Sequence, residues 1–373
     1  MKTNLFAAIV VVLSLLLLSC KKETTWKPGT PLEKEKVKIA VIHINDPFLD
    51  SSGYSYAHEM GIREMQRNIG LADAQIIRKT NAFQGNLMAA EGSVLDSIAE
   101  GANIIIATSW DYMDICEKLA EEFPSVIFAH ATGYKYNSLN FTNYSIRFYH
   151  ARYLAGIVAG LRTKSGHIGY VASMGKDHSE VTGGINAFAI GVEEVNPEAR
   201  IYMQVTYSWN DPMGETDAAN ALIARGCDVI AQHADTPNPQ TAAQRAGVWS
   251  IGYNRDMSID APDAVITSVV SRWGNLYTRL VESVINGTFS PTLYYYGLAE
   301  GAADIMPLNE KLAAPGTEAA VAAARQRIIH GGFNVFDGIL ETNTGIFIGE
   351  AGKTLSDEVI LNGINWYYRN VIE

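Results

Sequence analysis

The sequence predicts an α/β protein made of two Rossmann-like lobes, each with its own parallel sheet, joined by a hinge. Three observations predict this fold class. Apolar runs of strand length alternate with helical patterns, the alternation stops and restarts near the middle of the chain, and 373 residues suffice for two domains. Repeated strand–helix units imply a parallel sheet that is covered on both faces.

The first twenty residues have the form of a secretory signal. Lys2 gives a positive start, residues 5–18 are almost unbroken apolar, and Leu17-Leu18-Ser19-Cys20 ends the segment. The apolar run is short for a permanent bilayer span. A cysteine after Leu-Leu-Ser is the pattern of a bacterial lipobox, so we expect residues 1–19 to be removed and Cys20 to be acylated; the alternative is an ordinary signal peptide with an incidental cysteine. Residues 20–36, rich in Lys, Glu, Thr and Pro, then form the lipidated N-terminus and tether.

The first lobe is expected over residues 37–148 plus about 270–290. Residues 37–42 are an apolar strand, after which Ile62, Met65 and Ile69 recur at helical spacing. Further strands of this lobe are predicted at 76–77, 103–107 and 125–129. The second lobe is expected over residues 149–269 plus about 291–373, with strands at 167–171, 201–207, 227–231 and 248–252.

Polar and aromatic side chains collect directly after the predicted strands. In open parallel sheets, ligands bind on loops at the carboxyl ends of the strands. The loops concerned are Asn45-Asp46 and residues 109–114, 130–134, 209–211, 233–239 and 253–256. We expect these six loops to converge on one cleft, in which two hinged lobes enclose a small molecule.

Composition and motifs exclude several other functions. A net charge of −11 disfavours nucleic acid as a partner. CxxC, HExxH and clustered histidines are absent from the sequence, so neither a metal nor another cofactor is expected. His130 and His233 have no accompanying GxSxG nucleophile, which favours a binding protein over an enzyme. Cys116 and Cys227 are expected to be buried free thiols in different lobes.

The loop sequences resemble the basic membrane protein family of substrate-binding lipoproteins. The likeness covers nearly all of the mature chain and lies in seven segments in order: Gly53-Tyr54-Ser55-Tyr56-Ala57-His58-Glu59, residues 107–114 (ATSWDYMD), residues 128–134 (FAHATGY), residues 151–156 (ARYLAG), Ser208-Trp209-Asn210-Asp211-Pro212, residues 231–237 (AQHADTP) and residues 251–257 (IGYNRDM). This resemblance implies the type I periplasmic-binding fold and service to an ABC importer. Members mostly bind purine nucleosides or nucleobases, with riboflavin as one departure.

The resemblance also implies roles for particular residues. Tyr54 and Trp209 match the aromatic residues that stack on the base, Ser55 matches a companion polar position, and Asp114 matches the carboxylate that hydrogen-bonds the base. The remaining candidate ligand contacts are Trp110, Asp211, His233, Asp235, Asn254, Asp256 and Trp273.

Two departures from the family pattern favour a nucleobase over a nucleoside. Nucleoside binders hold the ribose with an Asp where this chain has Asn254, and with a Lys near Ser271. An amide replaces a carboxylate that accepts from two hydroxyls only in part.

Structural roles compete with the binding roles at some of these positions. Tyr54 and Trp209 could be core aromatics, Asp114 could cap a helix, and Trp273 could either reach the cleft or brace the hinge.

The expected function is an extracytoplasmic solute-binding lipoprotein that delivers a purine to an ABC permease. It would be a monomer that is held at the membrane by its lipid anchor and faces the periplasm or cell exterior. The alternatives are a ligand-sensing receptor, a binder of another planar heteroaromatic such as riboflavin, and a nucleoside hydrolase. A transcription regulator of similar fold would need a DNA-reading module in front.

Overall fold

The computed structural model describes residues 26–49, 53–83 and 86–373, so the signal segment and Cys20 lie outside the described residues. The strands, in chain order, are β1 Ile39–Ile42, β2 Ile76–Lys79, β3 Ile104–Ala107, β4 Ile127–Ala131, β5 Phe141–Ile146, β6 His167–Ala172, β7 Arg200–Val205, β8 Val229–His233, β9 Trp249–Asn254, β10 Val265–Ser271, β11 Leu293–Tyr296, β12 Ala303–Ile305, β13 Asp337–Glu341, β14 Phe347–Thr354 and β15 Val371–Ile372. The α-helices are α1 Gly53–Ile69, α2 Leu87–Ala99, α3 Met113–Glu122, α4 Phe148–Arg162, α5 Ser179–Val195, α6 Pro212–Ala224, α7 Asn238–Ala246, α8 Trp273–Ile285, α9 Thr317–Ile329 and α10 Asp357–Asn362.

Two parallel sheets form the two lobes, which confirms the predicted fold class. The first sheet has the order β11-β5-β4-β3-β1-β2, and the second has the order β12-β10-β9-β8-β6-β7-β15. All neighbouring strands run parallel except β12, which pairs antiparallel with β10. The central strands of both sheets are buried along their whole length. Strands of a parallel sheet that helices cover on both faces are near-continuous apolar runs for this reason.

The chain crosses between the lobes three times. It leaves the first sheet after β5, returns after β10 when α8 packs on α1, and leaves again after β11. The strand β11 differs from the prediction, which placed everything after about residue 291 in the second lobe. It pairs with β5 in the first sheet, Leu293 beside Asn143 and Tyr296 beside Ile146. Its Leu-Tyr-Tyr-Tyr sequence is half-buried at a sheet edge, so it lacks the apolar run that marks a central strand.

The helices α4 and α5 pack unusually closely in the second lobe. A β-carbon at Gly156 would collide with the carbonyl of Phe188, and one at Gly191 would collide with the carbonyl of Tyr153. Glycine at both positions therefore allows the two backbones to touch. This contact brings the start of α5 close to α4, and both helices carry residues of the site described below.

The largest apolar cluster contains residues of both lobes, and each lobe also has a smaller cluster of its own. Cys116 lies in the cluster of the first lobe and Cys227 in that of the second, both buried and free, as expected. Beyond the second sheet, β13 and β14 form an antiparallel hairpin. Within the described residues, no helix has the length and apolar character needed to cross a membrane.

Candidate ligand-binding cavity

A cavity of about 450 Å³ lies between the lobes, where the carboxyl ends of both sets of strands face each other. Small-molecule sites in proteins typically enclose about 300–1,000 Å³. All six loops predicted from the sequence, which come from both lobes, contribute at least one residue to its lining. It is therefore the candidate ligand site of the two-lobed fold.

The first lobe contributes an aromatic and hydroxyl-rich wall. Tyr54 and Ser55 stand on the first turn of α1, and Ser55 Oγ accepts a hydrogen bond from the Asn45 amide at 3.4 Å. Trp110 follows β3 and is 54% exposed, at the mouth of the cavity. Burial, followed by the neighbouring Tyr144 and Glu180, holds the pKa of Tyr54 well above its usual range, so its hydroxyl stays neutral.

The second lobe contributes Trp209 and a set of polar groups around it. The rings of His178 and His233 form T-shaped contacts with the indole ring, at centroid distances of 5.4 and 5.9 Å. The Trp209 carbonyl accepts from the Asp235 amide at 2.8 Å, which ties together the loops after β7 and β8. The Asp235 carboxylate accepts from Asn254 Nδ2 at 2.7 Å. Trp209 is thus held as a firm face of the cavity.

The charges that face the cavity are acidic. Asp111, Asp177, Glu180 and Asp235 line it, whereas none of its described lining residues is Lys or Arg. Such a lining accepts hydrogen bonds from a neutral or cationic ligand that is rich in donors. It repels a phosphate or another anion.

The two lobes touch directly beside the cavity. The Gly53 amide of α1 donates to the Asp235 carbonyl at 3.3 Å. A β-carbon at Gly53 would lie 2.7 Å from the β-carbon of Asn254, closer than such atoms approach. Glycine at this position therefore permits the close approach of the lobes.

The structure places five of the predicted contacts on the cavity wall: Tyr54, Ser55, Trp110, Trp209 and Asp235.

Three predicted carboxylates lie elsewhere and have ordinary structural partners. Asp114 is 82% exposed and pairs with Lys135 at 2.9 Å. Asp211 caps α6 by accepting from the Gly214 amide, and Asp256 caps a short 3₁₀ turn by accepting from the Ser258 amide.

Three further predicted contacts are buried behind the wall. His233 is fully buried beneath Trp209, and Asn254 reaches the site through its bond to Asp235. Trp273 is 1% exposed and stacks on His58 at 4.3 Å, which favours its role as a brace for the hinge.

Sequence reasoning missed several residues of the lining. Asp177, His178 and Glu180 lie between β6 and the first turn of α5, Tyr149 and Tyr295 lie near the crossings, and Ile360, Leu361 and Asn362 come from α10. The available signal was the position of residues 173–178 after a strand of the second sheet, the same signal that identified the other loops.

The fold and this cavity define a class of protein. A solute-binding protein of an ABC transporter system from Conexibacter woesei shares the fold with a TM-score of 0.66 at 21% identity, covering 80% of this chain and 98% of that one. The molecule therefore has the two-lobed fold of the type I periplasmic-binding proteins.

Sequence comparisons give the family. A model described as "ABC transporter substrate-binding protein PnrA-like" matches residues 36–331. A purine-binding protein of Brucella abortus is 34% identical over 92% of this chain and 95% of its own length. A Haloferax volcanii protein, named as a candidate glucose-binding protein of an ABC transporter, is 31% identical over 89% of this chain and 80% of its own. This chain belongs to the PnrA-like family of ABC transporter substrate-binding proteins, which confirms the resemblance seen in the sequence.

Members of this family bind a small solute outside the cytoplasm and deliver it to a permease. The family is one of binding proteins rather than enzymes.

Proposed function

We propose that this chain captures a purine nucleobase in the interlobe cavity and presents it to an ABC permease. The observation that carries the proposal is the composition of the wall. Aromatic faces from both lobes, Tyr54 and Trp209, accompany four carboxylates, and the described lining contains no Lys or Arg. Flat aromatic faces stack on planar rings, and carboxylates accept from ring N–H and exocyclic amino groups.

A nucleobase fits this wall better than a nucleotide or a nucleoside. The acidic lining opposes a phosphate. Asn254 stands where nucleoside binders of the resembled family have a ribose-holding Asp, and its amide is engaged by Asp235 at 2.7 Å. Ser271 lies beside a separate groove between α1 and β10. The name of the Brucella abortus relative supports a purine, whereas that of the Haloferax volcanii relative supports glucose as the second candidate.

A thermal-shift screen tests the proposal. The mature protein is stripped of bound material by unfolding and refolding, then heated with adenine, guanine, adenosine, AMP, riboflavin or glucose. A ligand that binds the native state alone stabilises it by about 4 kcal/mol at a thousandfold excess over Kd. We expect a rise in melting temperature with adenine or guanine and none with AMP. A response to glucose alone, or to none of these ligands, would contradict the purine assignment.

A matched pair of variants locates the response. Trp209→Ala removes an aromatic face of the cavity, and stacking is worth about 1–3 kcal/mol per base, or roughly 5- to 150-fold in Kd. Tyr207→Ala removes a ring that is 73% exposed on the same loop but does not line the cavity. We expect the first variant to show a smaller thermal shift than the wild type at the same ligand concentration, and the second to keep the full shift.

We also propose that Cys20 carries a lipid anchor and that the mature chain is a monomer. The Leu-Leu-Ser-Cys sequence at residues 17–20 supports the anchor. Replacing Cys20 with Ala should move the full-length protein from the membrane fraction to the soluble fraction. A protein whose fractionation is unchanged by this replacement would rule the anchor out.

A further inference from the structure

Glu180 is a carboxylate of the cavity that sequence reasoning did not single out. It stands on the first turn of α5, where the helix dipole favours a negative charge, and its side chain is 32% exposed. Glu180 and Trp209 both line the cavity. The helix terminus alone would not distinguish Glu180 from any other acidic residue at the start of a helix, but the groups behind it do.

A buried polar cluster lies directly behind Glu180. His233 Nε2 is 3.7 Å from Glu180 Oε1, and neither ring nitrogen of His233 has a hydrogen-bond partner among the described residues. Arg152 of α4 is 1% exposed; its Nη1 donates to the Gln232 carbonyl at 2.5 Å, and its guanidinium lies over the Tyr253 ring at 4.2 Å.

The charge of Arg152 lacks a direct ion pair. Within the described part of the chain no carboxylate lies within 4 Å of it, and its Nε and Nη2 have no hydrogen-bond partner. A buried cation in this situation favours a negative charge nearby. Burial raises the pKa of Glu180, but His233, His178 and Arg152 together outweigh burial, so its pKa lies below the usual value. Glu180 therefore faces the cavity as an anion.

The other carboxylates of the wall are placed differently. Asp111 accepts from the Ser109 hydroxyl at 3.2 Å, Asp235 accepts from Asn254, and Asp177 is exposed. Among the described residues, neither Asp111 nor Asp177 forms an ion pair with a buried Lys or Arg.

We propose that Glu180 is the specificity-determining carboxylate of the site, which accepts the ring N–H or amino donors of the bound base, and that Arg152 is a positioning residue that holds it ionised. The inference rests on the proposed function. The Glu180 carboxylate would select for purines that present N–H groups on one edge, because a ligand without donors there leaves a desolvated carboxylate unpaired. It also replaces Asp114, which the structure removes from the cavity, as the base-reading acid.

The first experiment titrates stripped wild-type protein, Glu180→Gln and Glu198→Gln with adenine and with guanine by calorimetry. Both substitutions replace a carboxylate with an amide of the same size, but Glu198 is exposed between α5 and β7 and does not line the cavity. We expect Glu180→Gln to weaken the binding of whichever base the wild type binds by at least tenfold, and Glu198→Gln to change it by less than threefold. Thermal unfolding of each variant without ligand shows that it is folded.

The outcomes separate the two proposals. If the wild type binds a purine and Glu180→Gln binds it equally well, the role of Glu180 is wrong while the purine assignment stands. If the wild type binds neither base, both proposals fail.

The second experiment tests Arg152 through pH. The wild type and the Arg152 variants share the other titratable or charged groups around Glu180. These are His178, His233, Asp235, Tyr54, Tyr253 and Tyr295. Arg152→Gln should weaken purine binding, and its deficit relative to wild type should grow at least threefold between pH 7.5 and pH 5.5, because Glu180 then protonates more readily. Arg152→Lys, which keeps the charge, should show a smaller deficit. A deficit in Arg152→Gln that is constant with pH would overturn this role.

Discussion

Each sheet has a histidine at the carboxyl end of one strand, His130 in β4 and His233 in β8, and the surroundings of the two rings differ. His130, at the end of β4 in the first lobe, lies 2.7 Å from the Ser109 carbonyl through Nε2 and accepts from Asn143 Nδ2 at 2.8 Å through Nδ1. His233, in the second lobe, has no hydrogen-bond partner among the residues that the structure describes, and its Nε2 lies 3.7 Å from Glu180 Oε1. The same residue type thus fastens loops together in one lobe and belongs to the charged cluster behind the ligand wall in the other.

This difference extends to the lobes themselves. The first lobe brings mainly aromatic and hydroxyl groups to the cavity, and the second brings three of its four carboxylates together with Trp209. We therefore expect ligand discrimination to be concentrated in the second lobe.

Replacing His130 with Ala should give the largest change in stability. It leaves the Ser109 carbonyl and the Asn143 amide buried without their partner, at about 1–3 kcal/mol for each group. We expect the free energy of unfolding in urea to fall by about 3 kcal/mol, with purine affinity changed less than threefold. A variant of wild-type stability would show that these bonds do not secure the first lobe.

Replacing His233 with Gln should show the opposite pattern. The ring makes no hydrogen bond within the described protein, so the unfolding free energy should change by about 1 kcal/mol or less. Purine affinity should fall about fivefold because the ring supports Trp209 and Glu180. Calorimetry and urea unfolding of both variants would test whether His130 acts mainly on stability and His233 mainly on binding. An equal loss of unfolding free energy in the two variants would contradict this difference.

Acid should destabilise the protein through both histidines. Burial lowers the pKa of His130 to about 4, although its bond to the Ser109 carbonyl acts in the opposite direction. Burial and then Arg152 lower the pKa of His233 to about 3. Unfolded histidine takes up a proton near pH 6.5, so the unfolded state binds more protons as the pH falls below about 6.5, and stability falls with it.

Urea unfolding between pH 7 and pH 5 measures this effect. Each such histidine contributes up to about 1.4 kcal/mol per pH unit. The His233→Gln variant should therefore lose stability less steeply than the wild type over this range. An identical slope in the two proteins would mean that folding does not lower the pKa of His233.

The smallest effect is expected at Asp114. Its carboxylate is exposed and pairs with Lys135 outside the cavity, and exposed ion pairs contribute about 0–1 kcal/mol. Asp114→Asn should leave purine affinity unchanged within twofold in the calorimeter. A tenfold loss would return Asp114 to the site and weaken the case for Glu180.

The sequence predicted the fold well because the central strands carry apolar runs that the helices do not. It misplaced β11, since three tyrosines at a half-buried edge give no such signal. The aromatic walls were found for the same kind of reason: Tyr54 and Trp209 are large aromatics in polar loops.

The charged part of the site was harder to predict. Asp114, Asp211 and Glu180 all lie near the starts of helices, where acidic residues are common for reasons of capping and dipole. What separates Glu180 from the others is Arg152, which is close in space only because α4 and α5 touch at Gly156 and Gly191. Local sequence does not carry that information.

A crystal structure of the stripped protein grown with adenine would show directly whether Glu180 binds the base. We expect the base between Tyr54 and Trp209, with a ring N–H or the amino group about 2.7–2.9 Å from the Glu180 carboxylate, as charge-assisted bonds require. A base bound against Asp114, or a cavity that stays without adenine under saturating conditions while accepting glucose, would contradict this expectation.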